Sequence, residues 1–355
     1  MKILYVGDLD PAGTCKARCD ALQVLEPDLH GFDIGDAFAW SARPRLQRQL
    51  EEHLRAGPNQ RRANAALIDR CAMLQPDLVW IDNGDWISSG TLRTLRGLGC
   101  FLVHHITDSL YTLDRRVRWL RRLLRSTAAD YDVFFTTNVD DCERLASSEP
   151  PKALLTDLGH DHRRFEPSPL SPELAARWSS ELIFIGHYES ETEDRILALL
   201  EAGLPVQVYG DVRWFRSSRR ALLGDNLHER LSSEDYVYAL KGTKIGLCFV
   251  STMNYNQTAS RSFEITGCGS FLLAVRTPQH LECFEEGHEA DFFGDHAELV
   301  EKARKYLEHD ALREQIARRG YERSEASGYS WGALMKRDWP RVLEVYRARA
   351  AASQP

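Results

Sequence analysis

Between Thr258 and Pro278 the chain reads TASRSFEITGCGSFLLAVRTP: a polar loop, an amphipathic helix, a small-residue turn and a buried strand. A helix entered from a loop presents unpaired backbone N–H groups and the positive end of its dipole, which suits a phosphate. Arg261, in the first turn beside Ser262, adds a fork of donors matched to diphosphate oxygens. Glu264 falls on roughly the same face one turn later, where a carboxylate can accept hydrogen bonds from a ribose diol. Gly267 and Gly269 end the helix and allow close approach before the strand at Ser270–Val275. An anion seat, a cation and a diol acceptor on one helix point to a nucleoside diphosphate. The structural alternative is a solvated i,i+3 pair followed by a plain helix stop.

Ligands of doubly wound sheets gather at the carboxyl ends of strands, so the residues after each apolar run are the other candidates. In the first half these are Asp8 and Asp10 in GDLDPAGT, then Asp82, Asn83, Asp85 and Trp86 in DNGDW. His104, His105 and Asp108 follow in HHITDS, then Thr136–Asn138 and the DLGHD stretch Asp157–Asp161. Acids and histidines at these ends suit an acceptor hydroxyl that must be held or deprotonated. Adjacent histidines on a strand point to opposite faces, so one of the pair is expected to face a ligand. Asp108 is the preferred base for an inverting reaction, with His105 and Asp10 beside it. Asp8 or Asp10 could instead cap a turn, and His105 could be a packing group. In the second half Gly186, His187 and Tyr188 follow one strand, and Tyr209 and Gly210 end the next. Asn254, Tyr255, Asn256 and Thr258 form the loop into the Arg261 helix.

The elements that must position these residues alternate along the chain. Apolar runs at Lys2–Val6, Leu78–Ile81, Phe101–His104, Val133–Thr136 and Leu154–Thr156 read as strands buried on both faces. Helical patterns occupy Pro44–Arg55, Gln60–Leu74 and Ser89–Leu98. The theme repeats with strands at Leu182–Ile185, Val206–Tyr209, Lys244–Val250 and Ser270–Val275, and with a helix over Tyr236–Leu240 that starts at Ser232–Asp235. The chain is thus expected to be α/β, with two doubly wound, Rossmann-like domains. Three prolines within Phe165–Pro172 break the pattern, setting boundaries at 1–166 and 167–330.

The 355 residues, 43% hydrophobic and 27% charged, suffice for two cores. A net charge of −7 gives no reason to expect nucleic-acid binding. No apolar run approaches the roughly 20 residues of a membrane span, and MKILYVGDLD lacks a secretory apolar region, which predicts a cytoplasmic chain. Cys15, Cys19, Cys71, Cys100, Cys142, Cys248, Cys268 and Cys283 have no zinc-ligand spacing and are read as reduced thiols. The segment Arg115–Arg125, RRVRWLRRLLR, has an apolar stripe and an arginine face. It is either a solvated surface helix or a peripheral contact with an anionic membrane.

The 261–278 block resembles the C-terminal signature of group-1-type glycosyltransferases, above all the branch typified by the spore maturation protein CgeB, where R-x-F-E-x-x-x-C-G-x-x-L-L precedes a T-P turn. The resemblance runs on from Thr277 to Trp331. It extends more diffusely to PDLVWIDNG (Pro76–Gly84), YDVFFTTN (Tyr131–Asn138), ELIFIGHY (Glu181–Tyr188) and LPVQVYGD (Leu204–Asp211). It implies the GT-B architecture: two facing Rossmann-like domains with an interdomain cleft, and a terminal helix at 331–350 crossing back onto the first. It also implies transfer of a sugar from a nucleotide-diphosphate sugar, a UDP-sugar foremost, to a glycan, lipid-linked or protein acceptor, with no separate cofactor and no metal. A sugar-nucleotide epimerase or a non-catalytic nucleotide- or glycan-binding module of the same fold are the alternatives. By the same resemblance Gly186, His187, Tyr188, Tyr209, Gly210, Asn256, Arg261, Ser262 and Glu264 hold the donor. Two departures stand out. Asn256 occupies the place of a glutamate found in many retaining relatives, and GHYESETEDR is acidic up to Arg195, where a lysine is usual.

Overall fold

The computed structural model describes residues 1–38, 50–51, 54, 56–111, 118–119, 121–147, 151–251 and 256–352. Most of the helix expected at Pro44–Arg55, most of the first half of the arginine-rich segment, and Asn254 and Tyr255 lie outside the described residues.

The chain divides into two compact units, one of Met1–Asp157 with Thr252–Asn256 and Trp331–Pro355, the other of Leu158–Ser251 with Gln257–Ser330. The first unit runs β1 (Ile3–Gly7), α1 (Thr14–Leu25), β2 (Leu29–Asp33), α2 (Ile34–Phe38), α3 (Pro58–Leu74), β3 (Leu78–Asp82), α4 (Ser89–Gly97), β4 (Phe101–Ile106), α5 (Arg122–Thr127), β5 (Val133–Thr136), α6 (Val139–Ala146) and β6 (Lys152–Leu155). The second runs α7 (Pro172–Trp178), β7 (Ser180–Gly186), α8 (Ser190–Glu201), β8 (Val206–Gly210), α9 (Arg220–Leu223), β9 (Leu227–Glu229), α10 (Ser233–Gly242), β10 (Thr243–Cys248), α11 (Ser260–Gly267), β11 (Phe271–Val275), α12 (Pro278–Cys283), β12 (Asp291–Phe293), α13 (His296–Glu308) and α14 (Asp310–Ala326). The last helix, α15 (Trp331–Ala352), belongs to the first unit.

Each unit holds a six-stranded sheet, ordered β2-β1-β3-β4-β5-β6 in the first and β12-β11-β10-β7-β8-β9 in the second. Every pairing within them is parallel. Successive side chains of a strand point to opposite faces, so a sheet covered on both sides needs an apolar residue at nearly every position. The first sheet shows this directly. Leu4, Val6, Val79, Ile81, Leu102 and Phe134 pack on one face, while Ile3, Tyr5, Leu78, Trp80, Val103 and Phe135 pack on the other. Met335, Trp339 and Val342 of α15 complete that second face. In the second unit Leu182, Phe184, Val206, Val208, Ile245, Leu247, Phe271 and Leu273 build one core with Leu299, Ala303 and Tyr306 of α13.

None of the eight cysteines forms a disulfide. Among the described residues no helix is long and apolar enough to cross a membrane, and no group of three His, Cys, Asp or Glu side chains is arranged to hold a metal ion.

Candidate functional site

In the second unit, β7 ends at Gly186 and α11 begins at Ser260, and the two meet through Arg261. A Cβ at Gly186 would lie 2.7 Å from Arg261 Nη2, so only a glycine lets the guanidinium rest on the strand end. The same guanidinium lies over the Phe184 ring at 5.1 Å. Phe184 in turn stacks on Phe249 with centroids 5.0 Å apart. Arg261 Nε is buried and has no hydrogen-bond partner among the described residues, which leaves a charged donor available at a helix start. Gly186 is itself held from behind, since the Trp214 indole N–H donates to its carbonyl at 2.9 Å. Gly210, paired with Gly186 across β7 and β8, makes room for that indole: a Cβ there would meet Trp214 Cδ1 at 2.2 Å.

Glu264, one turn beyond Arg261, accepts a hydrogen bond from the Tyr236 hydroxyl at 2.5 Å. Burial pushes its carboxyl above the ordinary carboxylate range, while the Tyr236 hydroxyl and Arg261 pull the other way. Tyr236 lies on α10, which Ser232 caps by accepting from the Asp235 N–H. Neither Trp214 nor Tyr236 was singled out as a site residue in the sequence, because each acts through a neighbour and carries no motif of its own.

The other residues expected at the donor seat divide. His187 is exposed and its Nδ1 lies 2.7 Å from Asp211. Tyr209 stacks on His228 at 4.7 Å. Tyr188 turns edge-on to Trp214 at 5.3 Å and donates to Glu193 at 3.2 Å, so it packs the start of α8. Ser262 turns inward. Its hydroxyl is fully buried between His280 Nε2 at 2.8 Å and Cys248 Sγ at 3.3 Å, and its N–H is bonded to the Ala259 carbonyl. Asn256 is grouped with the first unit, where its amide donates to the Thr107 carbonyl at 3.1 Å.

The acceptor-side residues of the first unit differ in their surroundings. His105 is only 2% exposed, packed against Trp80, Phe135 and Trp331. His104, on the opposite face, is buried against Phe134 and Tyr131. Neither face of this central strand reaches solvent, because the sheet is covered on both sides. Burial pushes the His105 imidazole down to about 4, with the Arg18 charge adding to the effect. Asp10 shapes a turn: its Oδ1 accepts from the Ala12 N–H at 2.9 Å and its carbonyl from the Gly13 N–H at 2.8 Å. Asp108 keeps an exposed carboxylate but is not a free base. Arg121 Nη2 donates to it at 2.6 Å, and Arg121 Nη1 binds both oxygens of Asp85 at 2.7 Å. Arg121 is therefore no solvated surface arginine; its side chain is 11% exposed.

The first unit also holds a fully buried ion pair between Asp82, at the end of β3, and Arg18 of α1. Asp82 accepts from Arg18 Nε at 2.7 Å, Arg18 Nη2 at 2.9 Å and the Tyr5 hydroxyl at 2.6 Å. Desolvation opposes its charge, but Arg18 prevails and holds the carboxyl down at about 2. Arg18 also lies over the Trp331 ring at 4.5 Å, which ties the first turn of α15 to the sheet.

Comparison with known proteins follows the same lines. Residues 193–337, which include α11 and its flanking strands, match a family model described as glycosyl transferase-like. No curated protein matches the chain. Among solved structures, sucrose-phosphate synthase from Thermosynechococcus elongatus is similar at a TM-score of 0.67 and 13% identity, over 99% of this chain and 100% of that one. The Anabaena protein HepE, solved in complex with UDP and glucose, is similar at 0.63 and 13%, over 99% of each chain. UDP-GlcNAc 2-epimerase from Neisseria meningitidis, bound to UDP-GlcNAc, gives 0.58 and 14%, over 97% of this chain and 100% of that one. The fold is that of the GT-B glycosyltransferases. The CgeB branch is not among these matches.

Proposed function

We propose that the protein transfers a sugar from a nucleotide-diphosphate sugar, a UDP-sugar foremost, to an acceptor hydroxyl. The observation that carries this reading is Arg261, with a donor that no described residue takes up, seated on Gly186 one turn before Glu264. In this reading Arg261 and the first N–H groups of α11 receive the leaving diphosphate, and Glu264, steadied by Tyr236, receives the ribose. Gly210 and Trp214 keep the β7 end in place for that contact. His187 and Tyr209 border the same strand ends and would frame the rest of the nucleotide. Asp108, exposed and oriented by Arg121, is the group proposed to hold the acceptor hydroxyl. Proton removal there would give up an ion pair, so orientation of the hydroxyl is the better role. The developing charge falls to a guanidinium and a helix start, so no metal is invoked.

Support comes from the glycosyl transferase-like match over 193–337 and from similar folds solved with UDP or UDP-sugars. The acceptor is proposed to be a glycan, a lipid-linked sugar or a protein, and the Arg115–Arg125 segment, apart from the buried Arg121, is proposed as a peripheral membrane contact for the lipid-linked case. Calorimetry with UDP, GDP, ADP and dTDP, followed by turnover of the corresponding sugars, tests the reading. Micromolar UDP binding, and UDP release with glycosylated acceptor formed on adding acceptor, undiminished by EDTA, is the expected result. Product analysis with donor alone separates transfer from epimerisation of the donor. Failure of every nucleotide to bind would end the proposal.

A further inference from the structure

A basic cavity lies at the opposite end of the second sheet from Arg261. It has a volume of about 500 Å³ and is walled by one face of α14 and by the turns that lead from α10 into β10 and from α11 into β11. Lys241, Lys244, Arg313 and Arg318 line it against a single carboxylate, Glu314, with Tyr321 at its side. Such a concentration of positive charge is unusual in a chain whose net charge is −7.

The amino ends of parallel strands lie beside the carboxyl ends of helices, and some of these cations answer nearby oxygens. Lys241 Nζ donates to Ser168 Oγ at 2.8 Å, and Arg313 Nη1 donates to the Tyr306 carbonyl at 2.7 Å and pairs with Asp310 at 2.6 Å. Lys244 and Arg318 are different. Lys244 Nζ stands 3.8 Å from Glu181 and 3.9 Å from Asp310, beyond hydrogen-bond reach of both. Arg318 is exposed and makes no hydrogen bond or ion pair with any described residue. An ammonium and a guanidinium with donors to spare, both lining one cavity, suit a dianion that can take charge-assisted bonds.

We propose that this cavity binds a small phosphorylated molecule at a site separate from the donor seat. Its volume falls within the range of about 300–1,000 Å³ common for small-molecule sites. The eight residues of α11 run from Ser260, beside Arg261 at the carboxyl edge of the sheet, to Gly267 at this edge, a length of about 12 Å. Anions at the two places are therefore held by different cations at opposite ends of one helix.

Ribose 5-phosphate, with ribose as its uncharged counterpart, tests this by calorimetry on the full chain. Wild type is expected to bind ribose 5-phosphate and not ribose. Arg261→Ala is expected to retain that binding, and the double variant Lys244→Ala/Arg318→Ala to weaken it at least tenfold while leaving UDP affinity unchanged. Both altered positions are solvent-accessible, and a matching melting temperature confirms that the variant is folded. No binding by wild type, loss with Arg261→Ala, or indifference to the double variant would each overturn the proposal. A chain that binds ribose 5-phosphate in the expected way but no UDP would leave this site standing and remove the donor reading instead.

Discussion

Arg261 reaches its position because Gly186 has no side chain to stop it. In Gly186→Ala the new methyl would stand 2.7 Å from Nη2, so the guanidinium must swing away or the strand end must move. Loss of a charge-assisted contact is worth about 1.5–3 kcal/mol, so UDP affinity is expected to fall about tenfold or more. Uridine, which lacks the diphosphate, should bind this variant as it binds wild type; equal losses for both ligands would refute the assignment of the contact. Tyr236 makes the companion case. Removing its hydroxyl in Tyr236→Phe leaves Glu264 without the donor at 2.5 Å that fixes its carboxylate. About 1 kcal/mol, or roughly fivefold, is expected in UDP affinity, and the preference for UDP over its 2′-deoxy analogue should shrink. An unaltered preference would show that the ribose is held elsewhere.

At the scale of elements, α11 is fixed from inside by Ser262, whose hydroxyl sits between His280 and Cys248. His280 Nδ1 lies 2.8 Å from the Val275 carbonyl and donates to it, which leaves Nε2 to accept from Ser262. Ser262→Ala strands that buried nitrogen and is expected to cost about 1–3 kcal/mol, read as a lower urea midpoint. UDP affinity of the folded variant should be nearly unchanged; a large loss would return Ser262 to the binding surface. Adjacency to Arg261 suggested a ligand role from sequence, yet neighbours in a helix point about 100° apart, and only packing shows which one turns inward. The strands divide in a similar way. Central ones such as β4 and β10 were legible because burial on both faces forces continuous apolar runs. The three that the pattern did not reveal, β2, β9 and β12, all lie at sheet edges. LHGFD of β2 is largely part-exposed, and LHE and DFF are three residues each, too short for periodicity to register. Arg121 was invisible as a clamp because its partners, Asp85 and Asp108, come from two other loops.

At the scale of the whole molecule, both units rest on imidazoles kept neutral by burial. His105 in the first unit and His160 and His280 in the second are each pushed down to about 4, and His104 is held well below its usual range. An unfolded chain titrates its histidines near 6.5, so between about pH 6.5 and 4 it binds protons that the folded chain refuses. Stability must therefore fall as the pH drops through this window, on the order of 3 kcal/mol for each such histidine by pH 4. Asp82 behaves differently. Its carboxyl is lowered to about 2, so its contribution persists down to about pH 4 and is lost only between there and pH 2. The first acid loss thus belongs to the histidines and affects both units. His160 offers the sharpest test, since neither ring nitrogen has a hydrogen-bond partner among the described residues and the ring packs against Gly267. Calorimetric melting of wild type at pH 7.5, 6.0 and 5.0 is expected to show a midpoint that falls increasingly steeply below pH 6.5. In His160→Leu, which keeps an apolar filler beside Gly267 but cannot take a proton, the melting of the second unit should decline less steeply over the same range. A slope equal to that of wild type would mean that His160 is not among the groups that set the acid limit of the fold.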